Sequence, residues 1–139
     1  MRNHPLLEMT MTQLEEAKET DNKLRWDAKV EETLFSLYIP KWRVPEPWPR
    51  SIWVKVLPRR QNSDDAPNLS RSEVESDSTF RQEPVITTVH WKSSHTETDR
   101  YSPVGPAETW EIGEPYIPHS LTFNGYPRLR LIILWDITR

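Results

Sequence analysis

The chain contains no cysteine and only three glycines among its 139 residues. Without cysteine, neither a disulfide framework nor a thiolate metal site can form. So few glycines argue against nucleotide-binding loops, which need several glycines to bring the backbone close to phosphate. The formal net charge of -3 gives no general support for a polyanionic partner. No apolar run reaches the length of a signal-peptide core or a membrane span, so we expect a soluble, cytoplasmic protein without membrane contact.

Proline and tryptophan are the abundant residue types, with thirteen prolines and seven tryptophans. Proline lacks a backbone N–H and fixes φ, so it favours extended segments and edge strands over helices. Each tryptophan can bury about 200 Å² of surface, which offsets a hydrophobic content of only 35%. A chain of this length can enclose one core, and we expect a single domain over residues 1–139.

Strict alternation of apolar residues near the end of the sequence predicts a long strand. Five alternate residues point to one side, and two further apolar residues lie on the other side between charges: Leu129, Leu131, Ile133, Trp135 and Ile137, and then Ile132 and Leu134. A strand that is apolar on both sides at its middle needs neighbours to cover it. We therefore expect this strand to be central in its sheet, with Leu131, Ile133 and Trp135 buried.

The same period of two recurs earlier in the chain. Between Lys23 and Glu31 every second residue is apolar, which predicts a half-buried antiparallel strand, and a helix continuing from residue 12 is the alternative. Shorter strands are predicted over residues 34–39, 51–57, 85–92, 108–112 and 120–123. The last of these is expected to pair with the final strand through the turn dipeptide Asn124-Gly125.

Other stretches lack a strand pattern. Residues 1–11 are expected to be a loose leader, and the four residues from Thr12 match a capping box that begins a short helix over residues 12–19. Residues 59–82 hold few large apolar side chains and predict a long polar loop or insertion. Residues 93–107 predict a polar connection. The predicted fold class is therefore mainly β, an antiparallel β sandwich or partly open barrel with a short N-terminal helix.

The proline-rich segment, Pro40 to Pro49, holds four prolines and two tryptophans in ten residues. Prolines hold such a segment extended along the surface, where tryptophan and arginine side chains contribute strongly to binding at a small ordering cost. We therefore expect a non-enzymatic binding or adaptor module. Another protein is the expected partner, and the expected binding surface is built by four residues: Trp42, Arg43, Trp48 and Arg50.

A metal-dependent enzyme is the first alternative. On an extended chain, the side chains of His95 and Glu97 share one face, and His119 could supply a third ligand for a divalent ion such as Fe(II). An arginine of the final strand, Arg128 or Arg130, could clamp the carboxylate of a co-substrate. This order resembles that of the double-stranded β-helix oxygenases and cupins, with a shorter interval between Glu97 and His119. The resemblance implies a β-barrel enzyme with a metal cofactor.

A single-stranded nucleic-acid binder is the second alternative. Aromatic and cationic residues alternate at Lys41-Trp42-Arg43, Trp48-Pro49-Arg50 and Trp53-Val54-Lys55. Single strands are bound by stacking on aromatic rings within a basic groove. Rows of tryptophan also bind sugars by stacking on their ring faces. In a small β domain, however, tryptophans also serve as core residues with cations stacked on them.

Overall fold

The computed structural model describes residues 7–12, 22–58, 81–123 and 125–136. Within these ranges it contains eight strands: β1 (Leu7–Thr12), β2 (Lys23–Val30), β3 (Thr33–Pro40), β4 (Ser51–Pro58), β5 (Val85–Ser94), β6 (Thr98–Pro103), β7 (Tyr116–Pro118) and β8 (Arg128–Asp136). Short 3-10 helices lie at Lys41–Arg43, Ala107–Thr109 and His119–Leu121. No helix among the described residues is long and apolar enough to cross a membrane.

The strands form one antiparallel sheet in the order β3-β2-β1-β4-β8-β5-β6-β7. The two ends of this order, β3 and β7, lie in contact, so the sheet nearly closes into a barrel. Beside them, the Gly113 N–H donates to the carbonyl oxygen of Tyr38 at 2.8 Å. The prediction of a mainly antiparallel β fold with a partly open barrel is confirmed.

The final strand is central, as its apolar pattern predicts. β8 lies between β4 and β5, with Ile133 opposite Val54 on one side and Val85 on the other. Leu131 and Ile133 point into the barrel and are buried. Trp135 is only half-buried, because it lies near the end of the strand and packs its ring against that of Trp26, with the centroids 6.3 Å apart.

The alternation between Lys23 and Glu31 also predicts its strand correctly. β2 buries Leu24 and Trp26, and it is paired with β3 along its whole length. The two strands are joined directly by Glu31 and Glu32, whose φ angles are 48° and 73°. Two-residue hairpin turns of this kind favour glycine and asparagine, so these glutamates hold a backbone conformation that is unfavourable for their side chains.

Several local predictions are wrong or fall outside the described residues. Residues 7–11 are not a loose leader but belong to β1, which lies between β2 and β4 and buries Met11 in the core. The expected N-terminal helix has no support, since Thr12 ends β1 and residues 13–21 lie outside the description. Of the expected loop over residues 59–82, only the last two residues are described.

The segment between β5 and β8 departs most from expectation. The expected polar connection over residues 93–107 contains β6, and the expected strand over residues 108–112 begins with a 3-10 helix instead. The expected hairpin partner of the final strand, residues 120–123, continues from another 3-10 helix into a turn. The strand that pairs with β8 in place of these residues is β5. The short strand β7 pairs with β6 instead.

Candidate functional site

The proline-rich segment is anchored to the barrel by its buried residues. It begins at Pro40, where β3 ends, and its last residue, Pro49, lies two residues before β4. Val44, Pro45 and Pro49 are buried. The indole N–H of the core residue Trp26 donates to the carbonyl oxygen of Pro49 at 3.2 Å. The segment therefore has a fixed position, and the side chains that it leaves exposed are held in place.

Arg43 does not lie on the expected surface, and that part of the prediction is wrong. Its side chain is fully buried and donates to the carbonyl oxygens of Arg81, Glu83 and Pro84 at 2.9, 2.8 and 3.1 Å. Its Nε atom lies 3.8 Å from Oε2 of the equally buried Glu111. Burial lowers the pKa of Arg43, with the carboxylate of Glu111 acting in the opposite direction. This guanidinium joins the proline-rich segment to the chain that leads into β5.

The other three residues of the expected surface differ in exposure. Trp48 is 39% exposed, and the ammonium of Lys41 lies 5.5 Å from the centroid of its ring. Arg50 is exposed, whereas Trp42 is half-buried. Trp42 lines a groove of about 680 Å³ beside the end of β3.

This groove, which we call the Trp42–Trp110 groove, lies beside the hydrogen bond from Gly113 to Tyr38, near the contact between the two ends of the sheet. One wall comes from the starts of β2 and of the proline-rich segment, and the other from the residues between β6 and β7. The lining consists of Asn22, Lys23, Pro40, Lys41 and Trp42 on one side and Ala107, Glu108, Trp110, Ile112, Gly113 and Glu114 on the other. Pro40 and Ile112 are buried, so the groove has an apolar floor beneath polar rims.

The second wall is held by its own hydrogen bonds. The indole N–H of Trp110 donates to the carbonyl oxygen of Gly105 at 3.0 Å, and its backbone N–H donates to Ala107 at 3.1 Å. Gly105 has a φ of 87°, a conformation that glycine adopts without strain. The sequence pattern does not predict this wall, because the residues from Glu108 to Ile112 are typical of a short strand. The tryptophan itself was the available signal.

The two carboxylates of this wall differ in their partners. Oε1 of Glu114 accepts a hydrogen bond from Nε of Arg100 at 3.1 Å, and this bond lowers the pKa of Glu114. Glu108 is exposed and forms no ion pair with any residue that the structure describes. The groove therefore carries the exposed carboxylate of Glu108, the ammonium groups of Lys23 and Lys41, and two indole rings.

The histidine cluster forms a different arrangement from the expected metal site. Nδ1 of His119 lies 3.0 Å from Oδ2 of Asp99, and its Nε2 lies 2.8 Å from the carbonyl oxygen of His95. Both contacts favour the protonated ring and raise the pKa of His119. Asp99 also accepts hydrogen bonds from Thr122 at 2.8 Å and from the indole of Trp91 at 3.2 Å. Burial raises the pKa of Asp99, but these hydrogen bonds outweigh burial and lower it overall.

These contacts leave the predicted ligands dispersed. Both ring nitrogens of His119 are engaged, and Nε2 of His95 lies 3.1 Å from the hydroxyl of Ser93. Glu97 is exposed and meets His119 through its backbone, where its carbonyl oxygen accepts the His119 N–H at 3.1 Å. In the described part of the chain, no three histidine, aspartate or glutamate side chains are grouped to hold an ion. The geometry thus gives no support to the metal site.

The tryptophans expected to bind a nucleic acid do not share one groove. Trp53 is 39% exposed and lies in a small depression of about 220 Å³ with Leu134 and Trp135, on the outer face of the sheet. Trp42 lines a different groove, whose far wall carries the carboxylates of Glu108 and Glu114. Lys23 and Lys41 also line this groove, so it presents charges of both signs and not the basic surface that a nucleic acid needs.

Searches of protein-family models, curated proteins and solved structures found no match to this chain. The functional argument therefore depends on the residues of the chain itself. Within the described part of the chain, the Trp42–Trp110 groove brings together buried apolar residues, two indoles and charged side chains.

Proposed function

We propose that this protein is a non-enzymatic binding module that engages another protein through the Trp42–Trp110 groove and the adjoining ring of Trp48. One observation carries the proposal: the groove is already formed in the isolated chain, with two half-buried tryptophans above an apolar floor. Concave sites with aromatic walls and a few placed polar groups are typical of ligand and partner binding. Its volume of about 680 Å³ lies within the usual range for such sites.

Rigidity strengthens the argument. One wall is fixed by the buried residues Val44, Pro45 and Pro49, and the other by the hydrogen bond from the Trp110 indole to Gly105. A surface that is ordered before its partner arrives loses less conformational entropy on binding. Tryptophan is also among the residue types that contribute most to protein interfaces.

The exposed aromatic ring next to the groove extends the surface. Trp48 is 39% exposed with Lys41 beside it, and Arg50 follows on the same segment. We assign the exposed ring to the interface and the charged residues to its rim, where they select the sign of the partner's charge.

The experiment compares two variants that remove exposed indoles from different places. Trp42→Ala combined with Trp48→Ala removes the rings of the proposed surface. Trp53→Ala is the matched control, because Trp53 has the same 39% exposure as Trp48 but lies on the outer face of the sheet. Each tagged full chain is used to capture partners, and urea unfolding measures the stability of each variant.

We expect the double variant to lose the partners that the unchanged chain and the Trp53→Ala chain both retain. An unfolded double variant would show that the two indoles belong to the core, and the proposal would lose its basis. A folded double variant that retains every partner would place the binding surface elsewhere.

A further inference from the structure

One histidine side chain bridges two segments of the chain beside β6. His119 directly follows β7 and begins a 3-10 helix. Nδ1 of its ring lies 3.0 Å from Oδ2 of Asp99 in β6. Nε2 lies 2.8 Å from the carbonyl oxygen of His95, in the turn of residues 95–97 between β5 and β6. The ring therefore joins the residues after β7 to this β5–β6 turn.

Both groups that the His119 ring faces are hydrogen-bond acceptors. A backbone carbonyl oxygen can only accept, and the carboxylate of Asp99 is held in its ionised form by donors that include Thr122 and Trp91. A neutral imidazole has one N–H donor, whereas the imidazolium has two. Only the protonated ring can donate to Asp99 and to His95 at the same time. In that form neither ring nitrogen has a lone pair to offer a metal ion.

Loss of one proton breaks one of the two bonds and leaves the other. The remaining N–H stays on Nδ1, because a bond to a carboxylate is stronger than a bond to a neutral carbonyl group. Nε2 then turns a lone pair towards the carbonyl oxygen of His95 over 2.8 Å, and the two acceptors repel each other. The side chain of His119 is 42% exposed, so its proton can exchange with water while the protein stays folded.

The groups closest to the His119 ring act mainly to hold its proton. The hydrogen bond to Asp99 raises the pKa of His119 most, and the carbonyl oxygens of His95 and Thr96 act in the same direction, against the smaller effect of burial. The carboxylate of Glu97 is exposed, and this residue meets His119 through its backbone. The protonated form is therefore favoured in acidic solution and is lost as the pH rises.

The second histidine of this region is not part of the bridge through its own ring. The ring of His95 packs on that of Tyr116 in β7, with the centroids 5.4 Å apart, and its Nε2 lies 3.1 Å from the hydroxyl of Ser93. The β5 side chains beside the bridge, Trp91 and Ser94, are uncharged. Because His95 contributes its backbone carbonyl oxygen to the bridge, the protonation of its imidazole is not required.

We propose that His119 is a proton-dependent bridge, which holds the β5–β6 turn in place when its ring is protonated and loosens the turn when the ring becomes neutral. Loosening of the turn also withdraws the ring of His95 from Tyr116 and exposes the tyrosine further. None of these residues lines the Trp42–Trp110 groove, so the bridge does not depend on the proposed function.

Nitrogen-15 NMR of the full chain locates the protons on the ring, over about pH 5 to 9.5. We expect both ring nitrogens of His119 to be protonated at the acidic end and Nδ1 alone to be protonated at the alkaline end. A neutral ring with its proton on Nε2 would overturn the proposal, because the bond to His95 would then survive. A ring whose protonation does not change over this range would overturn it too.

Amide hydrogen exchange on the same chain measures the loosening of the turn. The His119 N–H donates to Glu97 at 3.1 Å and the His95 N–H donates to Thr98 at 2.8 Å, so these two amides report on the turn. After correction for the intrinsic effect of pH, their protection should fall by about tenfold or more when the ring becomes neutral, the effect of losing one hydrogen bond from a charged donor. Protection of the Gly113 amide should not change. Unchanged protection at both reporter amides would overturn the proposal.

Two glutamine variants identify the responsible histidine. In His119→Gln the His95 amide should be weakly protected at every pH. His95→Gln is the matched control, because it keeps the backbone carbonyl oxygen, and its His119 amide should retain the full pH dependence. A pH dependence that persists in His119→Gln or disappears in His95→Gln would refute the assignment. If His119→Gln does not fold, the ring spectra of the unchanged chain and the His95→Gln exchange data still decide.

Discussion

Replacing Arg43 by methionine should destabilise the protein strongly, although the sequence places this arginine among surface residues. Methionine has a similar length and no charge, so the main change is the loss of the guanidinium. Three carbonyl oxygens would lose their donor, and Glu111 would be left buried without its cation. Removing one partner of a buried ion pair costs roughly 3 to 5 kcal/mol, which is a large part of the stability of a small domain.

A double-mutant cycle separates the contribution of the Arg43–Glu111 ion pair to stability from that of the hydrogen bonds to the carbonyl oxygens. Changing Arg43 and Glu111 together to methionine removes both charges, so neither charge of the pair is left buried without the other. We expect the double variant to be more stable than Arg43→Met alone, with a coupling energy of about 2 to 3 kcal/mol. The two charges are 3.8 Å apart without a hydrogen bond between Nε and Oε2, so the coupling is mainly electrostatic.

Urea unfolding followed by far-ultraviolet circular dichroism measures these differences. Tryptophan fluorescence is less suitable here, because the guanidinium lies 5.8 Å from the centroid of the Trp135 ring. Arg50→Met is the matched control, since Arg50 is exposed near the same segment, and its effect should stay within about 0.5 kcal/mol. A loss below about 1 kcal/mol for Arg43→Met would refute the buried position, and additive single effects would refute the coupling.

Three further predictions concern the barrel. Ile133→Ala should cost about 2 to 5 kcal/mol by leaving a cavity beside β4 and β5, and a loss under about 0.5 kcal/mol in urea unfolding would place β8 at the surface. Stability should be greatest in mildly acidic solution. The pKa of Asp99 is lowered, so its contribution is present above its ordinary pKa of 3.8 and is lost as the pH falls further. The pKa of His119 is raised, so its contribution is complete below its ordinary pKa of 6.5 and is lost as the pH rises through the folded value. Urea midpoints over about pH 3 to 9 should therefore show a maximum between these two values, and His119→Gln should flatten the alkaline side; an unchanged alkaline side would exclude this histidine as the cause. Changing Glu31 to asparagine together with Glu32 to glycine should stabilise the protein by about 1 to 2 kcal/mol, because both residues have positive φ in a two-residue turn. A thermal midpoint that does not rise would show that the turn stores no such strain.

The strands that could be predicted are those whose inward residues are apolar. β2 and β8 alternate cleanly, with Trp26 and Ile133 among the residues that point inward. β6 could not be found in this way, because Asp99 and Ser102 are buried in it and Tyr101 is its only large apolar side chain. Its burial depends on the groups that surround Asp99, and two of these, His119 and Thr122, lie 20 and 23 residues further along the chain.

The candidate site was predictable only in part, because one of its walls depends on the local sequence and the other on contacts between distant residues. Proline spacing identified the wall that carries Trp42, since prolines act on the local backbone. The opposite wall with Trp110 becomes a wall only when the ends of the sheet approach each other, and no local pattern reports that approach. The same holds for Arg43, which would be a surface residue on the segment alone and is buried by contacts with residues 81–84 and Glu111.

The position of β8 has a consequence for the order of folding. Strands β1 to β4 are hydrogen-bonded to one another without it, as are β5 to β7, and β8 is the strand that joins these two groups within the sheet; elsewhere they meet where β3 contacts β7. Each group can begin as hairpins while the chain is being synthesised, yet the barrel cannot assemble before its last described strand is available. Until then each group keeps an unpaired edge, at β4 or at β5, where a second molecule could bind in place of β8. Slow, highly cooperative folding is therefore expected, and crowded expression should favour association of incomplete chains through these two edges.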